Sequence, residues 1–183
     1  MTSGTATTRK SNTARLFFAI QPDKAIQATL GDIAKQHARQ SGGRPVIPEN
    51  IHLTLLFVGQ TPVDRIELLK AASDNISTQS FELIIQQTRY WKRNQIIFAS
   101  IDPCPAALFT LEDKLKTAVH KAGFSFDNRT FKPHISLVRK ATQHTADDFQ
   151  NPIRWPVTEW RLMQSIQTKQ GIQYLTLNRW QLD

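Results

Sequence analysis

Apolar and polar positions alternate along the chain in two rhythms, one of period two and one of three to four, and the switches between them mark its elements. Arg15-Leu16-Phe17-Phe18-Ala19-Ile20 is a compact apolar run closed by Pro22, the pattern of a buried strand. Asp23 is placed to cap a helix carrying Ile26, Leu30, Ile33 and Ala34 on one stripe, which Ser41-Gly42-Gly43 ends. The Pro-rich stretch from Arg44 to Asn50 delivers the chain into a second strand, Ile51 to Val58, closed by Gly59. Thr61-Pro62 predicts an N-cap and a first-turn proline for a helix with Ile66, Leu68, Leu69 and Ala72 on its stripe. Phe81 to Gln86 and Gln95 to Ile101 read as strands joined around Lys92-Arg93-Asn94. A third helix is predicted from about Ala106 to Ala122, with Leu108, Leu111, Leu115, Ala118 and Val119 facing inward and Gly123 after its end. Phe131-Lys132-Pro133 enters a strand from His134 to Val138. Lys140 to Pro156 is polar, broken by two prolines, and predicts a loop with one helical turn. Glu159 to Thr168 and Ile172 to Leu182 flank Lys169-Gln170-Gly171 as a closing hairpin. This order predicts an α+β architecture, mostly antiparallel, with helices on the outer faces of the sheets. Residues 14–183 are expected to form one domain behind a disordered leader, 1–13, made of Thr, Ser, Gly and basic residues.

Within that pattern two tetrapeptides repeat: His52-Leu53-Thr54-Leu55 and His134-Ile135-Ser136-Leu137. Each reads His, apolar, hydroxyl, apolar at the head of a strand. Alternation sets the imidazole and the hydroxyl on one face and the two apolar residues on the other. One copy would be weak, because a lone strand histidine more often makes a structural hydrogen bond than does chemistry. Two copies nearly half the chain apart predict two strands facing one cleft and hint at duplicated lobes.

Composition sharpens this. Twenty-three Lys and Arg against fifteen Asp and Glu leave a formal charge of +8 over 183 residues, which favours a polyanionic partner such as nucleic acid or a nucleotide. The single cysteine, Cys104, lies between two prolines in an expected loop, and one cysteine excludes an internal disulfide and any multi-cysteine zinc site. No apolar run approaches membrane-spanning length and the N-terminus lacks the apolar core of a signal peptide, so a cytoplasmic protein without a membrane partner is expected.

Two imidazoles across a cleft suit paired acid–base work, one neutral and one charged near neutral pH. A phosphate fits between them: its oxygens accept from Thr54 and Ser136, and cleaving its P–O bond needs one proton delivered and one removed. Arg139 and Lys132, flanking the second motif, can add cationic donors. A metal site would need further ligands; Asp127 and Glu49 are the nearest candidates, with nothing in the pattern to support them, so no metal and no cofactor are expected. His37, His120 and His144 read as surface residues. Tyr90, Trp91, Trp155 and Trp160 are candidates to stack on a base, with packing in the core as the competing role for most of them. No Gly-rich phosphate loop or serine elbow is present.

These residues resemble the two-histidine (2H) phosphoesterases, and within them the RNA 2′,3′-cyclic phosphodiesterase (2′-5′ RNA ligase) family of bacteria and archaea. The likeness runs through Arg15 to Ile20, Pro48 to Gly59, Phe131 to Arg139 and the terminal hairpin. It implies a bilobal fold whose two antiparallel sheets form a concave cleft. It also implies metal-independent hydrolysis of RNA 2′,3′-cyclic phosphate ends to 2′-phosphomonoesters, and possible reversible 2′-5′ joining of tRNA halves. His52 is then the proton donor and His134 the proton acceptor, Thr54, Ser136 and Arg139 hold the phosphate, and Lys132 and Trp91 touch substrate. A monomer is expected. Other occupants of this pattern are an RNA-end-binding module with little turnover, or a relative acting on 2′-5′ oligonucleotides or cyclic ADP-ribose phosphate. Ser136 and Lys132 depart from the family's more usual threonine and arginine. Arg139 has the wrong parity to share the His134 face on a regular strand, so it requires a bulge there, a strand end, or a side chain reaching round the edge.

Overall fold

The computed structural model describes residues 12–143 and 146–183. The segment 1–11, which is most of the expected leader, and His144 lie outside the described residues.

The chain opens with β1 (Thr13–Ile20), buried almost throughout. Helix α1 (Lys24–Ser41) follows, capped by Asp23, whose carboxylate accepts from the Ile26 N–H at 2.8 Å. Leu30 and Ala34 of its stripe are buried, and Gly42 ends it with φ of 69°, a left-handed conformation that glycine adopts without strain. The next residue, Gly43, passes so close to the sheet that a Cβ there would lie 2.5 Å from a Val138 methyl. A short strand β2 (Arg44–Pro45) and one 3₁₀ turn (Pro48–Asn50) lead into β3 (Leu53–Pro62). Then come α2 (Ile66–Ser73), the hairpin β4 (Phe81–Trp91) and β5 (Ile96–Ile101), α3 (Ala106–Lys121), β6 (Ile135–Arg139) and β7 (Asp147–Val157). The closing hairpin is β8 (Glu159–Thr168) and β9 (Gly171–Gln181).

The strands run in the order β7-β4-β5-β6-β3-β1-β8-β9, each pairing among the described residues antiparallel, with β2 added against β6. This order is a mirror of itself. Four strands on each side, β7-β4-β5-β6 and β9-β8-β1-β3, meet at the pair Leu53–Ile135. The two expected sheets are thus the halves of one ladder joined at a narrow waist. The helices cross over: α1 leaves β1 and packs against β6, while α3 leaves β5 and packs against β3. The crossing closes one large core under both halves, including Leu16, Phe18, Leu53, Ile135, Leu108, Leu115 and Trp160.

Four readings of the sequence are corrected by the fold. Residues 147–157 form a strand, not a loop. Pro152 and Pro156 are tolerated because β7 is an edge strand that pairs with β4 alone, so their missing N–H groups cost no second ladder. Gly59 does not close its strand. The ladder to β1 runs on to Pro62, with Gly59 at φ 85° beside a bulge at Val58, so Thr61 is a buried ladder residue rather than a helix cap. A 3₁₀ turn, Val63–Arg65, intervenes before α2, and Leu68 faces outward, 49% exposed, while Leu69 carries the burial. His37 is buried, its Nε2 3.5 Å from the Thr88 hydroxyl of β4 and 3.7 Å from Asp147 at the start of β7; burial lowers its pKa against the opposing pull of that carboxylate.

Candidate active site

His52 and His134 each stand one residue before a strand, at the waist where the halves meet. Leu53 and Ile135 are fully buried, so their neighbours must face the other, concave side of the sheet. His52, Thr54, His134 and Ser136 all line one cleft there, of about 1280 Å³. Arg139, Lys132, Trp91 and Tyr90 line the same cleft. Trp155 and Trp160 do not: they are core residues, 2% and 0% exposed, and are removed as base-stacking candidates.

The parity of Arg139 is settled by a bulge. Ser136 and Val138 pair with the consecutive residues Phe98 and Ile97 of β5, leaving Leu137 as the extra residue. Leu137 and Val138 both turn inward, and Arg139 emerges on the face of His134 and Ser136. The same device recurs in β3, where Thr54 and Leu56 pair with Ala19 and Phe18 of β1 and Leu55 is extra. Its outward residue is Phe57, 41% exposed. The halves therefore match residue for residue until this point, where one supplies a guanidinium and the other a phenyl ring.

Both imidazoles are held in the same way. The Nδ1–H of His52 donates to the Asn50 carbonyl, and the Nδ1–H of His134 to the Lys132 carbonyl, each at 2.7 Å. A carbonyl can only accept, so this fixes the tautomer and leaves each Nε2 as the lone-pair nitrogen. At His52 that nitrogen takes the Thr54 hydroxyl proton at 3.0 Å. At His134, among the described residues, nothing hydrogen-bonds Nε2. Two rings flank each imidazole: Phe17 and Tyr174 at 5.1 Å from His52, Trp91 at 4.5 Å and Phe98 at 5.9 Å from His134. Desolvation in these cages is the main cause of their depressed pKa values, with the Asn50 or Lys132 carbonyl pulling the other way and the Arg139 charge pushing both further down. His52 is lowered to about 4, the charge of His134 adding to the effect. Both shifts favour the neutral ring in the free protein.

Sequence reasoning missed Phe17, Tyr174, Phe98 and Asn50. The rings come from three different strands, and no local pattern announces them. Asn50 was visible as the residue two before His52, yet its role depends on a distant partner: its side-chain amide donates to the Ile172 carbonyl at 2.7 Å, pinning the turn to the closing hairpin. Gln21 holds the same turn by donating to the Glu49 carbonyl at 2.8 Å, and Arg161 holds Gln21. Asn50→Ala is expected to lower kcat by about 3- to 10-fold with little change in KM, the range of one neutral hydrogen bond. Steady-state kinetics beside imidazole ¹⁵N shifts check this; an unchanged His52 Nδ1 signal would remove Asn50 from the positioning of the ring.

Asp127 is not available as a ligand, because Arg129 clamps its carboxylate and holds its pKa down, and Glu49 is exposed. Among the described residues no three His, Cys, Asp or Glu side chains gather as a metal-binding group.

A mirror-related pair of histidines with hydroxyls two residues on, facing one cleft between antiparallel half-sheets, defines a two-histidine phosphoesterase. The comparisons place the chain within that class. Residues 20–98 match the family described as LigT like Phosphoesterase. The RNA 2′,3′-cyclic phosphodiesterase of Escherichia coli is 30% identical over 94% of this chain and 98% of its own length. The protein of that name from Thermus thermophilus is 25% identical over 92% and 90%. The crystal structure of E. coli LigT complexed with 3′-AMP superposes with a TM-score of 0.86 at 29% identity, covering 93% of this chain and 99% of that one. This chain belongs to the LigT-like phosphoesterase family.

Proposed function

We propose that this chain hydrolyses the 2′,3′-cyclic phosphate of an RNA 3′ end to a 2′-phosphomonoester, using His134 as the base and His52 as the acid. The observation that carries it is the pair of Nε2 atoms, each fixed by a carbonyl behind its ring, turned into one cleft beside Arg139. The bare lone pair of His134 suits a group that takes a proton from water. The oxygen of that water bonds phosphorus, the P–O3′ bond breaks, and His52 gives its proton to the leaving O3′. Thr54 and Ser136 offer hydroxyls to the non-bridging oxygens, and Arg139 offers an ionic fork to the growing charge. The phosphate anion offsets the Arg139 charge, so its binding raises the affinity of His52 for the proton that it must donate.

Incubation with nucleoside 2′,3′-cyclic phosphates in EDTA, followed by identification of the product, tests this reading. The 2′-phosphate is expected at full rate. Loss of activity in chelator, or a 3′-phosphate product, overturns it; salt-sensitive RNA binding with no turnover leaves a binding module instead. The pH dependence follows from the two depressed pKa values. The productive free enzyme carries one proton on the pair, so kcat/KM is expected to peak below pH 6.5 and to fall as pH rises through the upper of the two values.

A further inference from the structure

We propose that Lys92 and Arg93, at the β4–β5 turn, hold the phosphodiester on the 5′ side of the terminal ribose when an RNA strand lies in the cleft. This rests on the cyclic phosphodiesterase reading above and assigns a second subsite to it.

Three observations carry the assignment. The cleft, at about 1280 Å³, exceeds the roughly 300–1,000 Å³ of ordinary small-ligand sites. Its two rims also differ in charge. Beside His52 the wall offers Phe57, Ile172 and the phenol of Tyr174, with a single cation, Arg15, two residues before Phe17 on β1. Beside His134 it offers Lys92 and Arg93, both exposed and, among the described residues, in no ion pair. Finally, these cations are presented by a fixed turn. They follow directly on Trp91, whose ring lies 4.5 Å from the His134 ring. The Asn94 N–H donates to the Trp91 carbonyl at 3.1 Å, and the Ala141 N–H to the Gln95 carbonyl at 3.0 Å, tying the turn to the end of β6.

The chemistry of the substrate gives the direction. A 2′,3′-cyclic phosphate can exist only at a 3′ terminus, so all remaining chain departs from the 5′ side of that ribose. Each further nucleotide brings one negative charge. A strand leaving over the Phe57–Tyr174 rim would find one hydroxyl and one cation, Arg15, among apolar side chains; one leaving over the turn meets two adjacent cations, in no ion pair among the described residues, within one or two residues of the ring beside His134.

The test compares a nucleoside 2′,3′-cyclic phosphate with a tetranucleotide ending in the same group, on wild type and on the K92A/R93A and K92E/R93E double variants. Wild type is expected to favour the tetranucleotide in kcat/KM by about tenfold or more. K92A/R93A is expected to lose at least tenfold more on the tetranucleotide than on the mononucleotide, and K92E/R93E to lose more still. The salt dependence for the tetranucleotide is expected to flatten by about 0.7 in log–log slope for each contact removed. Equal kcat/KM for the two substrates, or equal losses on both in the variants, overturns the subsite while leaving the phosphodiesterase reading intact. No turnover of either substrate by wild type overturns that reading and the subsite together.

Discussion

His52→Ala and His134→Ala are each expected to lower kcat on a nucleoside 2′,3′-cyclic phosphate by about 10²- to 10⁴-fold, the usual worth of a positioned acid or base. The double variant is expected to be little worse than either single one, because in the proposed mechanism the two rings serve one proton-in, proton-out event on this substrate. Neither change removes a residue from a ladder, since both rings stand one position before their strands, so the fold should persist by circular dichroism. The two variants separate by leaving group. A diester that expels a nitrophenolate needs no proton at the leaving oxygen. It is expected to restore most of the rate in His52→Ala and almost none in His134→Ala. Rescue in the opposite pattern would exchange the roles of the rings; rescue of neither would mean that both act on the attacking side.

The site was legible because its chemistry is written locally. A histidine and a hydroxyl two residues apart on a strand share a face whatever the rest of the fold does, and the buried residue between them, Leu53 or Ile135, confirms which face is open. The cap at Asp23 and the hairpin turn at Lys92-Arg93-Asn94 were legible for the same reason. What the sequence hid was set by pairing. Pro152 and Pro156 argue against a central strand, and only the strand order shows that β7 has one neighbour. The bulges at Leu55 and Leu137 are two apolar residues in a row, which read equally well as the end of a strand or a slip within it. His37 looked like a helix-surface residue because its partners lie past the strand end read at Gln86 (Thr88) and in a stretch read as a loop (Asp147). The aromatic cages escaped because Phe17, Tyr174, Trp91 and Phe98 come from four strands that only the fold brings to the two rings.

Arg139 is the residue at which the mirror symmetry of the site breaks, and its replacement is expected to act in two opposed ways. Arg139→Gln removes a charged donor from the phosphate, which is expected to lower kcat/KM by about 10- to 100-fold, the range of a hydrogen bond between charged groups. The same change removes a positive charge that depresses both imidazoles. The pKa values of His52 and His134 should therefore rise toward 6.5 without reaching it, because burial, the larger cause at both rings, is untouched. The sign of the consequence follows. With both values raised, the singly protonated enzyme persists to higher pH, so the alkaline limb of the kcat/KM profile moves up. The deficit against wild type is then largest at low pH and narrows as pH rises. Arg139→Lys keeps the charge and loses the planar fork, so it should show the binding deficit while the pKa values stay near those of wild type. Imidazole titration by NMR, run beside the pH–rate profiles, reads both effects at once. Histidine pKa values that stay fixed in Arg139→Gln would place the guanidinium away from the rings and end its proposed part in tuning them, whatever became of the rate.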